Sequence, residues 1–243
     1  MLDRRNFLKM AMIAGSGLAL ETLGIGCSSS NSENSSSASE SSTAEAEEIS
    51  SSSSSSASTT AASSTSLVVF FSRAGENYNV GVVEEGNTAK VARVIAEDTG
   101  ADLFQIEPVV AYPEGYEDTK IISTRERDND ERPEIQPYDL DWDAYDTIYL
   151  GYPIWYGGMP MIMYTFIESM DWSGKTVYPF DTHGGSGLAN TVSELRQMCV
   201  GATVENGLAI PGTVAQNDPE EVQEEVRQWL KDNGDPNVIR ENN

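Results

Sequence analysis

An apolar run, Leu67-Val68-Val69-Phe70-Phe71, ends at Ser72, and Gly86-Asn87-Thr88 then opens the helical stretch Ala89-Lys90-Val91-Ala92-Arg93-Val94-Ile95-Ala96. A helix start leaves backbone N–H groups without partners and concentrates partial positive charge, so small hydroxyl and amide residues there form a seat for a phosphate dianion. Ser72, Asn87 and Thr88 are the residues this chemistry selects, and they point to a phosphorylated cofactor. Arg73 is a further candidate, set against a charged side chain that leaves a strand end for water. Asn87 and Thr88 taken alone also suit plain helix capping.

Two later strands deliver similar loops. Tyr145–Leu150 breaks into Gly151-Tyr152-Pro153-Ile154-Trp155-Tyr156-Gly157-Gly158, and Thr176–Phe180 breaks into Asp181-Thr182-His183-Gly184-Gly185-Ser186-Gly187. Ligands of open α/β sheets bind at the carboxyl ends of the strands, where these loops lie. The elements that must position them follow from the apolar pattern. Strands are expected near residues 67–71, 102–107, 147–152, 176–181 and 203–208, and helices near 88–98, 116–128, 160–168, 188–199 and 219–232. Asp218-Pro219 is a helix start signal with an acidic first turn.

From Leu67 to about Asn233 the sequence resembles the flavodoxin-like family, on the three loops taken in order: Ser72-Arg73-Ala74-Gly75 with Gly86-Asn87-Thr88, Gly151-Tyr152-Pro153-Ile154-Trp155, and Thr182-His183-Gly184-Gly185-Ser186-Gly187. The resemblance implies an α/β fold, a doubly wound five-stranded parallel sheet of order 2-1-3-4-5 in a three-layer sandwich, as in flavodoxin itself with FMN at the switch point. It implies FMN as cofactor, with the first loop on the phosphate and the other two flanking the isoalloxazine ring. A flat apolar ring with polar edges needs an aromatic or aliphatic wall and backbone donors along the edge. On that reading the ring site takes Pro153, Ile154, Trp155, Tyr156, Thr182, His183, Gly184, Gly185 and Ser186. Trp155 and Tyr156 supply the wall, or else pack under the sheet. Gly184 and Gly185 allow close backbone approach and offer N–H groups to the ring, or else form a simple turn. His183, the sole histidine, either partners negative charge near the reduced ring or holds its own loop by side-chain bonding. The third loop carries no aromatic before Leu188, which leaves one ring face open. One departure from the family is the insertion of Glu76 to Glu85, with Asn77 and Tyr78, inside the phosphate loop; its closure cost is small.

The amino terminus bears on location. Asp3-Arg4-Arg5-Asn6-Phe7-Leu8-Lys9 resembles a twin-arginine export signal, and Gly26-Cys27 resembles a lipoprotein cleavage and acylation site. Residues 1–27 are accordingly expected to be a signal with lipidation at Cys27. Residues 28–66 are serine-rich with little to bury, and should form a disordered tether spanning roughly 35 Å. Residues 67–243 would be one FMN-binding domain, exported and lipid-anchored at the outer face of the cytoplasmic membrane or in the periplasm.

The formal net charge is −24. Such acidity excludes nucleic acid as a partner and confines membrane contact to the lipid anchor. A basic redox protein is the partner that charge would steer, although acidity also serves solubility alone. Acidic surroundings would disfavour an anionic reduced flavin and push toward a low-potential donor. No metal site is expected: Asp139, Asp141, Asp143 and Asp146 lack the glycine and terminal glutamate of a calcium loop. Cys199 reads as a small buried hydrophobe. Three functions remain: an FMN electron carrier with no catalytic residue of its own, an FMN-dependent oxidoreductase of the quinone-reductase kind, and a binding module whose flavin site has decayed. Scarce nicotinamide outside the membrane counts against the second, and retention of all three loops against the third.

Overall fold

The computed structural model describes residues 66–238; the expected signal, Cys27 and nearly all of the expected linker lie outside the described residues. β1 (Ser66–Phe70), β4 (Asp102–Gln105), β5 (Thr147–Pro153), β6 (Thr176–His183), β7 (Thr203–Val204) and β8 (Leu208–Pro211) form a parallel sheet. Its order is β4-β1-β5-β6-β7, with β8 also paired to β6. Counting β7 and β8 as one position gives the expected order 2-1-3-4-5. Ser66, placed in the linker by composition, is the first residue of β1.

β1 and β5 are buried along almost their whole length, as central strands of a sheet covered on both faces must be. Their side chains alternate between two cores. Leu67, Val69, Ile148, Leu150 and Tyr152 join α3 (Met161–Ser169) and α4 (Thr191–Met198) on one face. Val68, Phe70 and Tyr149 meet α1 (Asn87–Thr99) and α6 (Pro219–Asp232) on the other. α6 shows how sequence makes that second layer: Val222, Val226, Trp229 and Leu230 recur at helical spacing. Its start is fixed by Pro219 and by Asp218 Oδ1, which accepts the Glu221 N–H at 3.0 Å. Cys199 is buried and free, and burial pushes its thiol up to about 12.

Three elements depart from expectation. The inserted segment folds as a hairpin, β2 (Gly75–Asn77) with β3 (Gly81–Val83). The last strand is broken at Asn206, whose N–H donates to Asn233 Oδ1 (3.2 Å) and whose carbonyl accepts from Trp229 Nε1 (2.7 Å). Both its peptide groups are thus drawn from the ladder toward α6. A short helix, α5 (Gly212–Asn217), follows β8 in a stretch to which the sequence reading assigned no element. α2 (Tyr116–Asp128) has the bounds read from the sequence.

Candidate functional site

At the carboxyl ends of β1, β5 and β6 the loops enclose a cavity of about 270 Å³, close to the lower end of small-molecule sites. Of the residues singled out in the sequence, Arg73, Asn87, Pro153, Ile154, Trp155, Tyr156, Thr182, His183, Gly184 and Ser186 line it. Ser72, Thr88 and Gly185 do not. Ser72 Oγ instead accepts the Ala89 N–H at 3.1 Å and so caps α1 from outside. The Thr88 hydroxyl is buried and shares a 2.8 Å hydrogen bond with Thr182, tying the helix start to the end of β6.

Helix geometry leaves the N–H groups of Asn87 and Thr88 without intrahelical acceptors, and Gly86 before them supplies no side-chain cap. Gly86 is glycine for space, not for φ, which is −67°. A Cβ there would lie 2.2 Å from Ser72 Oγ and 2.5 Å from Arg73 O. The turn at the helix start is therefore drawn tight around its donors.

Arg73 is half-buried rather than extended into water. Its guanidinium donates to Pro113 O at 2.8 Å, to Glu114 O at 3.0 Å and to Glu76 O, while burial holds its pKa below the ordinary arginine value despite Glu76. Glu76 Oε2 in turn accepts the Tyr116 N–H at the start of α2 (3.0 Å). Arg73 and Glu76 thus clamp the β2–β3 hairpin onto α2.

Further residues to which the sequence assigned no place in the site complete the wall. Asn77, Tyr78, Tyr116, Thr119, Lys120, Ser123 and Gly157 also line the cavity. Tyr116, Thr119, Lys120 and Ser123 recur at i, i+3, i+4 and i+7, one helix face, but the stripe is polar and leaves no hydrophobic period to read. Tyr78 stands against Gly184, where an added Cβ would lie 2.5 Å from its ring, and its ring centroid is 5.8 Å from that of Tyr116. The third loop, expected to be bare of aromatics, receives one from the hairpin.

Trp155 both lines the cavity and packs on the core, edge-on to Phe71 (5.7 Å) and Tyr112 (5.1 Å). Tyr112 is anchored behind it, its hydroxyl donating to Glu126 Oε2 at 2.8 Å; burial and that carboxylate push the phenol upward. Tyr156 and Gly157 turn the chain with φ of 54° and 77°, the positive pair of a type I′ turn closed by Trp155 and Gly158. The Tyr156 hydroxyl donates to Lys120 O (2.9 Å), and Arg127 lies over its ring at 4.5 Å.

His183 Nδ1 accepts the Gly185 N–H at 2.9 Å. The Gly185 donor expected to face the ring is therefore spent inside its own loop, and the histidine takes the loop-holding role. Burial lowers its pKa, opposed by a hydrogen bond to the Ala209 backbone.

The charged members of the lining are Arg73 and Lys120; no Asp or Glu is among them. In a chain of net charge −24, this segregation suits an anionic ligand. Orphan N–H groups at a tight helix start, a carboxylate-free wall and aromatic side chains from the hairpin, α2 and the second loop fit a flat aromatic ligand with a phosphate tail.

Comparison with known proteins gives the class. A flavodoxin family model matches residues 78–232, well over half of the chain, and the chain belongs to that family. A proposed flavoprotein from Bacteroides uniformis ATCC 8492 is similar at 31% identity, with 69% of this chain and 98% of that one covered and a TM-score of 0.55. Another from Bacteroides eggerthii DSM 20697 is 28% identical, covering 70% of this chain and 97% of that one, also at 0.55. A flavoprotein from Lactobacillus acidophilus NCFM, solved in complex with FMN, is 23% identical over 62% of this chain and 95% of that one, with a TM-score of 0.49. No curated protein sequence matches. FMN is the cofactor of the flavodoxin family, and the residues present fit it.

Proposed function

We propose that this protein is an FMN electron carrier, working outside the cytoplasmic membrane on a lipid tether at Cys27. The observation that carries the carrier reading is Tyr78 against Gly184, so that Trp155 of the second loop and Tyr78 beside the third both bring aromatic rings to the cavity. A ring bounded by aromatics on both sides exchanges electrons through its edge, whereas hydride transfer needs an open face for a nicotinamide or quinone to stack. FMN supplies one- and two-electron redox chemistry when bound. The chain's own residues would bind and orient it: the Asn87 N–H at the start of α1 would hold the phosphate, Trp155 and Tyr78 the ring, while Arg73 and Glu76 keep the hairpin in place. The export signal, the tether and a basic redox partner rest on the sequence and its charge.

The test is anaerobic reductive titration of the full-length, flavin-loaded protein, together with turnover assays using NADH or NADPH and a quinone. The carrier takes up electrons in two resolved one-electron steps and gives no steady turnover. Sustained quinone reduction by either nicotinamide overturns the reading in favour of an oxidoreductase.

A further inference from the structure

The proposed carrier chemistry leaves Asp181 of β6 without a task. Its relative exposure is 0%, and neither carboxylate oxygen has a hydrogen-bond partner among the described residues. Strand alternation places it on the face of Val177, in the layer that α4 covers, while Tyr178 and Phe180 face the other core. Its register partners are Tyr152 on β5 and Ala209 on β8. Polar groups of that layer are engaged with one another: the Tyr152 hydroxyl donates to Thr191 Oγ1 at 2.9 Å, and Thr191 Oγ1 donates to Leu188 O at 2.7 Å. A carboxyl group buried in this way without donors is held in its neutral form, and burial pushes its pKa up to about 8.

The acid nevertheless lies close under the cavity. Thr182 and its register partner Pro153, one residue further along both strands, line the wall. His183, two residues on and on the same face of β6 as Asp181, lines it too, and same-face neighbours in a strand are about 7 Å apart. The wall itself offers positive charge from Arg73 and Lys120 and no carboxylate. The other titratable groups around Asp181 are Tyr152 on β5, His183 on β6, and Glu194, Arg196 and Cys199 at α4. Burial raises the pKa of Tyr152 and Cys199 and lowers that of His183, so all three are neutral near pH 8. Glu194 accepts from the Tyr164 hydroxyl at 2.6 Å, and Arg196 donates to Val204 O at 3.3 Å.

We infer that Asp181 is a proton-linked partner of the flavin: it is protonated when the ring is reduced to an anion, and at alkaline pH reduction draws a proton from water onto its carboxylate. With Asp181 protonated throughout, FMN takes up two electrons and one proton to reach its anionic reduced form. With Asp181 ionised at the outset, the same two electrons, supplied by dithionite as it is oxidised to sulfite, bring in two protons, one to the flavin and one to an Asp181 oxygen. The driving force is repulsion: two unit charges on the order of 10 Å apart at an effective dielectric of about 20 shift an ionisation constant about tenfold. Asp181 acts through its field and not as a catalytic residue. The inference rests on the flavin reading above and assigns a pH response to that cavity.

The experiment measures the two-electron midpoint potential of the full-length, FMN-loaded protein from pH 6 to pH 10, for the wild type, Asp181→Asn and Asp181→Ser, together with reduced-minus-oxidised infrared difference spectra of the wild type at pH 9. Wild type and variants coincide at pH 6. At pH 10 the wild type lies about 30 mV lower, the tenfold shift expressed for a two-electron couple, because its ionised carboxylate opposes the anionic ring. On reduction at pH 9 the wild-type infrared spectrum gains a protonated-carboxyl band, and that spectrum alone decides if neither variant folds. Parallel pH profiles of wild type and variants, or an unchanged carboxyl region in a protein that reduces normally, overturn the inference while the flavin reading stands. Failure of the wild type to take up FMN overturns that reading and the inference with it.

Discussion

Replacing Asp181 by asparagine is expected to stabilise the folded protein at pH 8, by up to about 5 kcal/mol, while changing little near pH 4. Asp181 lies on β6, fully buried, and neither carboxylate oxygen has a hydrogen-bond partner among the described residues. Burial alone pushes its pKa up to about 8 from an unfolded value near 3.8. Between those values the native carboxyl keeps its proton and the unfolded one has lost it. Unfolding in that window releases a proton, so stability falls as pH rises through it and levels off above about 8. Asparagine is neutral in both states and removes this slope. Urea denaturation of both proteins at pH 4, 6 and 8 reads the effect directly; parallel pH dependences contradict it. The same argument bears on the site. Asp181 immediately precedes Thr182 and His183 of the cavity wall, and burial, by raising its pKa to about 8, suppresses its negative charge near neutrality. The acidity of the chain therefore does not extend to the wall of the cavity, against the expectation of acidic surroundings drawn from composition.

The second large effect falls on Gly86. Alanine there would bring its Cβ to 2.5 Å from Arg73 O and 2.8 Å from Arg73 C, backbone atoms that cannot rotate away, and to 2.2 Å from Ser72 Oγ. Overpacking of this kind costs about 1–3 kcal/mol. It must also push apart the Ser72 and α1 segments, separating the Ala89 N–H from Ser72 Oγ and spreading the donors meant for phosphate. Gly86→Ala should lower Tm by several degrees and weaken FMN at least about tenfold. Gly100→Ala is the control. Gly100 caps the far end of the same helix at φ 71° with nothing within 4 Å of an added Cβ, so it incurs backbone strain without touching the site. Thermal melts and flavin titrations on both variants separate the two; equal flavin binding by Gly86→Ala and Gly100→Ala contradicts the tight-turn account.

How much of this was visible in the sequence depended on whether the cause was local. β1, β5 and β6 announce themselves as apolar runs because central parallel strands are buried on both faces. The first residues of α6 are fixed by Asp218 and Pro219, adjacent in sequence, and the bounds of α2 by glycine and asparagine flanks. The broken last strand was illegible for the opposite reason: Asn206 leaves the ladder to bond Asn233 and Trp229, more than twenty residues away. The β2–β3 hairpin is short and exposed, with no alternation, and Arg73 and Glu76 hold it to backbone about forty residues further on.

The site divides the same way. Asn87, Trp155 and His183 could be found because each sits in a loop just after a strand or at a helix start. Ser72 and Gly185 were equally conspicuous, but nearby groups absorb their polar atoms: the Ala89 N–H takes Ser72 Oγ, and His183 takes the Gly185 N–H. Tyr78 was visible only as part of an insertion, since nothing in its neighbours says it will meet Gly184.

The most direct measurement is flavin uptake by the full-length protein, titrated with FMN and followed by quenching of flavin fluorescence. A cradle of α1 donors with Trp155 and Tyr78 in its wall predicts a yellow protein that binds FMN one to one and saturably. A folded protein that stays colourless and leaves added FMN as fluorescent as in buffer would contradict it.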